Sequence, residues 1–135
     1  MPHFLSAAIG SSERYAITIA RTGASLAERT EIAGDSESRR RGLLGRDSLD
    51  RGSAFVIAPC QGVHTFGMRF PIDIVAVARD GKVVKMRSAL PRRRILIAWS
   101  AFAVIELRAG AVLEAGLRAG DHLILAPHNP SLSDH

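Results

Sequence analysis

A hairpin signal in the middle of the chain constrains the fold more than any other feature of the sequence. Two β-rich runs, 71–79 and 82–87, flank the pair Asp80-Gly81. Glycine accepts the positive φ that a two-residue hairpin turn requires, so this pair predicts two antiparallel strands joined by such a turn. Pro71 suits the first residue of the first strand, where its missing N–H costs no ladder hydrogen bond.

Further short strands are predicted where apolar and β-branched residues alternate or form brief runs between turn residues. These segments are 15–20, 30–33, 54–58, 101–107 and 122–126. A short helix is predicted over 35–45, which opens with N-cap residues and ends in glycines, and a second one around 112–114. The sequence therefore predicts a mainly-β protein, either a small antiparallel barrel or a sandwich-like fold, with one or two short helices.

The length of 135 residues fits a single β-rich domain, predicted over 1–126, followed by a tail over 127–135 that is predicted to be disordered. Hydrophobic residues make up 47% and charged residues 23%, which is typical of a globular domain. The longest nearly apolar run, 95–105, is shorter than the roughly 20 residues of a membrane-spanning helix. We predict no membrane span, and because no secretory signal is recognised, the cytoplasm is the default expectation.

The net charge of +5 raises the question of an anionic partner such as a nucleic acid. Sixteen of the eighteen basic residues are arginine, and alanine is abundant, a combination that a GC-rich coding bias produces without selection for anion binding. Aromatic residues make up only 5%, too few for a stacking platform, and no nucleic-acid-binding motif is present. Nucleic acid is therefore an unlikely partner, whereas a small-molecule ligand is possible.

A set of short motifs follows one order through residues 15–126. They are Ile32-Ala33, Arg39 to Arg46 with the sequence RRRGLLGR, Pro59-Cys60, His64 to Asp73 with the sequence HTFGMRFPID, Asp80-Gly81, Glu106-Leu107, Ala109-Gly110 and Gly120-Asp121. As a set they resemble the uncharacterised family called domain of unknown function 192 (DUF192). The resemblance implies a small β-rich domain and brings no established activity. It also implies that Arg39, Gly42, Met68, Pro71, Asp73 and Glu106 are the positions shared most widely.

Residues 60–73 contain the chain's single cysteine and are the best candidate for a site. Cys60, His64 and Met68 are soft or borderline ligands at intervals of four residues, which suggests copper or zinc. Residues four apart in an extended strand are about 13 Å apart, so only a bent loop could gather them around one ion. Alternatively, Cys60 is a nucleophile with His64 as its base, or the three residues simply pack. Many relatives lack the cysteine and histidine, which limits either mechanism to a subgroup.

Asp73 and Glu106 are carboxylates inside apolar runs, so each should meet an arginine, a backbone donor or a ligand, or else face solvent. The candidate partners are Arg39, Arg46 and Arg69. Two alternatives stay open: an internal arginine–carboxylate pair that ties the fold together, or a polar pocket around His64, Arg69, Asp73 and Glu106 that takes a small ligand. We predict a small-ligand-binding or accessory β-barrel module, with a metal-binding or thiol-dependent protein as the alternative. Enzyme status and cofactors are left open.

Overall fold

The structure is a computed structural model that describes residues 3–5, 14–35, 42–43 and 45–128. Within these residues the chain forms ten strands and one short helix. In chain order they are β1 (Tyr15–Ile19), β2 (Ser25–Ala27), β3 (Arg29–Ala33), β4 (Ser53–Ile57), β5 (Gly62–His64), β6 (Ile72–Val77), β7 (Val83–Leu90), β8 (Ile95–Ile97), β9 (Ala103–Arg108), α1 (Ala111–Ala115) and β10 (Leu123–Pro127).

The strands form three sheets. A five-stranded sheet has the order β3-β4-β9-β6-β7, a three-stranded sheet has the order β10-β1-β2, and β5 pairs with β8. Neighbouring strands are antiparallel except β3 and β4, which are parallel. No sheet closes on itself among the described residues. The prediction of a mainly-β fold is thus confirmed, and the sandwich-like alternative fits it, whereas the barrel does not.

The five-stranded sheet is covered on both faces, and each face contributes to a separate hydrophobic core. The first core joins this sheet to the three-stranded one, through residues such as Ile105 and Ile17. The second core lies on the opposite face, where Leu96 of β8 covers residues such as Val104. Every residue of β6 is buried, because its side chains enter the two cores alternately. This explains the nearly continuous apolar sequence of that strand.

The predicted hairpin is present as β6 and β7, but its turn differs from the two-residue turn that we predicted. Gly81 N–H donates to the Ala78 carbonyl at 2.9 Å, and Ala78 N–H donates to the Lys82 carbonyl at 2.9 Å. Gly81 has φ +89°. The chain thus makes a four-residue turn over 78–81 whose last residue is a glycine of positive φ. This geometry is the three-residue hairpin loop with a G1 bulge.

The helix predicted around 112–114 is confirmed as α1. The helix predicted over 35–45 falls mostly on residues outside the described ranges. Of the predicted tail, Pro127 ends β10 and His128 N–H donates to the Arg14 carbonyl at 2.9 Å, while 129–135 lie outside the described ranges.

The sequence analysis missed β2, β5 and β8, each of three residues. Among the described residues, no helix has the length and hydrophobicity to cross a membrane.

We expect Gly81→Ala to lower the free energy of unfolding by about 2–4 kcal/mol. Alanine is strained in the left-handed backbone conformation of this position, and its Cβ would also clash with the Leu123 carbonyl oxygen. Gly120→Ala is the matched control, since Gly120 has φ +88° and an added Cβ there meets nothing within 4 Å. Urea denaturation of both variants measures the difference. Equal losses would show that the contact with Leu123 contributes nothing.

Candidate functional site

Cys60, His64 and Met68 lie in three different environments. Cys60 is half-buried just before β5, and its thiol donates to the Gly62 carbonyl at 3.0 Å. His64 is exposed at the end of β5, with its ring 5.9 Å from that of Phe66. Met68 is buried in the second core. The three side chains thus differ in burial and in the groups that they contact.

The hydrogen bond of Cys60 and the ring contact of His64 do not join these two side chains to each other or to Met68. Gly62 to His64 is extended as β5, which separates the imidazole of His64 from the thiol of Cys60. Within the described residues there is no group of three or more histidine, cysteine, aspartate or glutamate side chains that could hold a metal ion. The hypotheses of a Cys60–His64 dyad and of a soft-metal site with Met68 stay predictions, and the extended strand β5 gives them no support.

Asp73 is fully buried on β6, and backbone groups satisfy its carboxylate. Its Oδ1 accepts a hydrogen bond from Ala89 N–H at 2.7 Å, and its Oδ2 accepts from Gly110 N–H at 3.1 Å and Val112 N–H at 2.9 Å. Of the partners predicted for Asp73, backbone donors are the ones present, and no arginine among the described residues pairs with it. Arg69, one of the proposed partners, instead pairs with exposed Asp47 at 2.6 Å.

Local irregularities in two elements supply the donors that Asp73 accepts. The register of β7 against β6 shifts between Ile72 and Ile74, and Ala89 in the bulged region has φ +51°. The bulge leaves the Ala89 N–H outside the ladder, where Asp73 reaches it. Gly110, with φ +98°, begins α1 and directs the other two N–H groups inward. Asp73 thereby connects β6, the β7 bulge and the start of α1, which is a structural role.

Glu106 lies on the opposite face of the same sheet. In the register of β6 and β9, Glu106 is opposite Ile74, whereas Asp73 is opposite Leu107. Cross-strand partners share a face and successive residues alternate, so the two carboxylates point into different cores. The predicted pocket around His64, Asp73 and Glu106 is therefore wrong, because these groups do not face one space.

The Glu106 carboxylate is the most unusual polar group that the structure describes. The residue is only 5% exposed, and its Oε2 has no hydrogen-bond partner among the described residues. Burial raises the pKa of Glu106 to about 7, against the opposing effect of the nearby Arg46 charge. A buried carboxylate with a raised pKa and an unused acceptor is a typical mark of a functional site.

Arg46 occupies the same face of the sheet as Glu106. The pairing of β3, β4 and β9 places Glu31, Phe55 and Glu106 in one row across the strands. The Arg46 guanidinium lies 5.3 Å from the centre of the Phe55 ring, and its Nη2 is 2.7 Å from Glu31 Oε2. We call these four residues, Glu31, Arg46, Phe55 and Glu106, the Arg46–Glu106 site.

A pocket of about 260 Å³ adjoins this site along the edge strand β3. Arg14, Arg29 and Arg46 line it together with the carboxylates of Glu31 and Asp50. The hydroxyl oxygen of Thr30 in its wall is buried and has no hydrogen-bond partner among the described residues. We call this cavity the β3-edge pocket. It combines three cationic groups with an unsatisfied hydroxyl.

Comparison with known proteins agrees with the architecture. The family model of DUF192, whose description is "Uncharacterized ACR", matches residues 17–125. The chain belongs to DUF192. A search of curated proteins gave no match.

Two solved structures share the DUF192 chain's fold. One is a protein of unknown function from Novosphingobium aromaticivorans, with a TM-score of 0.70 and 21% identity over 82% of each chain. The other is a putative transcription regulator from Sinorhizobium meliloti, with a TM-score of 0.72 and 23% identity over 82% of this chain and 91% of that one. At this identity the likeness shows the fold alone.

Of the residues that the sequence singled out in this DUF192 chain, Glu106 and Arg46 are brought near one another. Arg39 lies outside the described residues. The sequence analysis missed Glu31 and Phe55, which complete the row on this face. Only the alternation within each strand could have pointed to them, and that signal is insufficient without the strand register.

We expect Asp73→Ala to lower the free energy of unfolding by about 3–5 kcal/mol, because it leaves three N–H groups without their acceptor, that of Val112 in a buried position and the other two half-buried. Asp47→Ala is the control, since it removes an aspartate that is exposed and whose ion pair contributes little. Chemical denaturation measures both. A loss of under about 1 kcal/mol for Asp73→Ala would contradict the structural role.

We expect Glu106→Gln to change how stability depends on pH. The folded-state pKa of about 7 lies above the ordinary value of 4.5, so this group's contribution is fully present below about pH 4.5 and is lost as the pH rises through 7. Relative to wild type, the variant should therefore gain stability over that range, by up to about 3 kcal/mol.

Denaturation series across pH measure this effect. Glu28→Gln is the control, because it removes an exposed carboxylate in place of the buried one. Parallel profiles for wild type and Glu106→Gln would contradict a raised pKa of Glu106.

Proposed function

We propose that this protein is a binding module for a small anionic ligand, held in the β3-edge pocket with Arg46 as its main contact. The observation that carries the proposal is that Arg14, Arg29 and Arg46 line one concave site. A carboxylate or phosphate group would accept hydrogen bonds from their guanidinium groups.

The charge balance around Arg46 favours an added anion. Its direct partner, Glu31, is more than half exposed, so their ion pair is weakened by solvent. Glu106, the other carboxylate on that face, has a pKa of about 7 and is therefore largely neutral in mildly acidic solution and only partly charged at neutral pH. Arg46 thus retains positive charge that a ligand can neutralise.

The position of Arg46 also supports a preformed site. A cation–π contact with the Phe55 ring restrains the Arg46 guanidinium, and its Nη2 is bonded to Glu31, so its other N–H groups are the ones that an anion can use. A fixed guanidinium loses little conformational freedom on binding. The volume of about 260 Å³ suits a ligand of a few heavy atoms rather than a large cofactor.

Other classes of function have less support. The name of the S. meliloti structure suggests a transcription regulator, but similarity at 23% identity carries the fold and no more. The metal-binding and thiol-dependent alternatives need Cys60, His64 and Met68 to converge, and their environments differ. Binding of a small ligand therefore remains the proposal, and it does not depend on catalysis.

We expect inorganic phosphate, pyrophosphate or citrate to bind the protein measurably by isothermal titration calorimetry at low salt. Arg46→Ala should weaken the binding by roughly ten- to a hundredfold, because it removes charged hydrogen bonds. Arg69→Ala is the matched control: Arg69 is also paired to one exposed acidic residue, at 2.6 Å compared with 2.7 Å for Arg46, but lies outside the pocket.

Two results would overturn the proposal. One is the absence of binding by all three anions. The other is an equal loss of affinity in the Arg46→Ala and Arg69→Ala variants, which would mean that the anions respond to net charge alone.

A further inference from the structure

Most of the large apolar side chains that are exposed among the described residues lie on the outward face of β8 or just after β5 and β8. Trp99 is 75% exposed, Ile95 65%, Phe66 47% and Ile97 42%. Ile95 and Ile97 alternate with buried Leu96, so β8 directs one side into the second core and the other to solvent. We call Phe66, Ile95, Ile97 and Trp99 the β5–β8 patch.

The register of the two strands makes part of this surface continuous. His64 of β5 is opposite Ile95 of β8, and the His64 ring lies 5.9 Å from the Phe66 ring. Trp99 follows β8 by two residues, and its carbonyl oxygen accepts a hydrogen bond from Gln61 Nε2 at 2.6 Å. The backbone at each end of β8 is therefore held while its apolar side chains project outward.

Basic side chains lie beside the patch. Arg92, Arg93 and Arg94 directly precede β8 and are exposed; we call them the arginine loop. Lys85 Nζ donates to the Ile97 carbonyl at 2.8 Å, which places a further cation beside the patch.

Thr65 fixes the arginine loop against the patch. Its hydroxyl donates to the Pro91 carbonyl at 2.7 Å and accepts from Arg94 N–H at 2.8 Å, and its own N–H donates to the Arg94 carbonyl at 2.8 Å. Thr65 is fully buried, although its neighbours His64 and Phe66 are exposed. The loop's position is thus set by internal hydrogen bonds.

We propose that the β5–β8 patch docks on an anionic lipid surface, with Trp99 and the two isoleucines entering the interfacial region and the arginine loop contacting lipid phosphates. Tryptophan is enriched at membrane interfaces, and basic residues gain energy near anionic headgroups. A second copy of this chain is disfavoured as the occupant, because two surfaces of the same positive charge would face each other. The exposed side chains of Trp99, Ile95 and Ile97 can enter a fluid lipid layer directly, whereas an acidic protein partner would need a cavity shaped to receive them. Lipid is therefore favoured over an acidic protein.

The single tryptophan of the chain reports this docking directly. The full chain is mixed with vesicles of phosphatidylcholine alone or of equal parts phosphatidylcholine and phosphatidylserine. We expect a blue shift of Trp99 emission and co-sedimentation with the phosphatidylserine vesicles, both reduced by salt.

Two sets of variants separate the charged and apolar contributions. Changing all three arginines of the loop to glutamine should reduce the partition coefficient on the order of a hundredfold, because each basic residue contributes about fivefold. Its control has the same net charge and carries Arg51→Gln, Arg69→Gln and Arg118→Gln, none of which lines the β3-edge pocket. Ile95→Ser with Ile97→Ser tests the apolar part, and Leu113→Ser with Ile124→Ser is the control, since these two residues are exposed elsewhere. Thermal unfolding verifies that each variant is folded.

The proposal is supported if folded variants of the loop and of the isoleucines lose vesicle binding while both controls keep it. It is overturned if wild type binds neither vesicle or binds both equally, or if the arginine control loses as much as the loop variant. It is also overturned if double-stranded DNA displaces the protein from the vesicles at equal phosphate concentration, which would identify a nucleic acid as the partner.

Discussion

Burial of β6 on both faces leaves the Asp73 carboxylate no route to solvent, and three backbone N–H groups satisfy it instead. The central sheet depends on this arrangement, since one side chain joins β6 to the bulge of β7 and to the start of α1. An arginine partner would have brought a second charge and a long side chain into the first core. Backbone donors satisfy the carboxylate at less cost in packing, and they explain why two neighbouring elements depart from regular geometry at this point.

The two buried carboxylates of the sheet differ because they belong to different cores. Asp73 has its hydrogen bonds completed inside the protein, whereas Glu106 on the other face has an acceptor that no described residue uses. A satisfied buried group stabilises the fold, while an unsatisfied one costs free energy that the rest of the structure must offset. The same sheet therefore separates a carboxylate that holds the fold together from one that is available for chemistry with Arg46.

Much of the fold could be predicted from local sequence, because alternation and turn residues act within a few positions. The hairpin of β6 and β7, the strands β1, β4, β9 and β10, and α1 follow from such signals. The candidate site could not, since the faces on which Asp73 and Glu106 lie depend on register between strands distant in sequence. Cys60 and His64 could share an ion only in a bent loop, but His64 belongs to β5, a three-residue strand that its own sequence does not predict. Three-residue strands such as β8 are too short to show a period.

The pairing of β1 with β10 has a consequence for how the molecule is made. Tyr15 lies opposite Pro127, so β1 leaves the ribosome about a hundred residues before its partner strand β10. Until then β1 has only β2 as a partner, and the edge that β10 later covers can pair with another nascent chain. Synthesis of this protein should accordingly benefit from a chaperone that shields the first strand until the last one emerges.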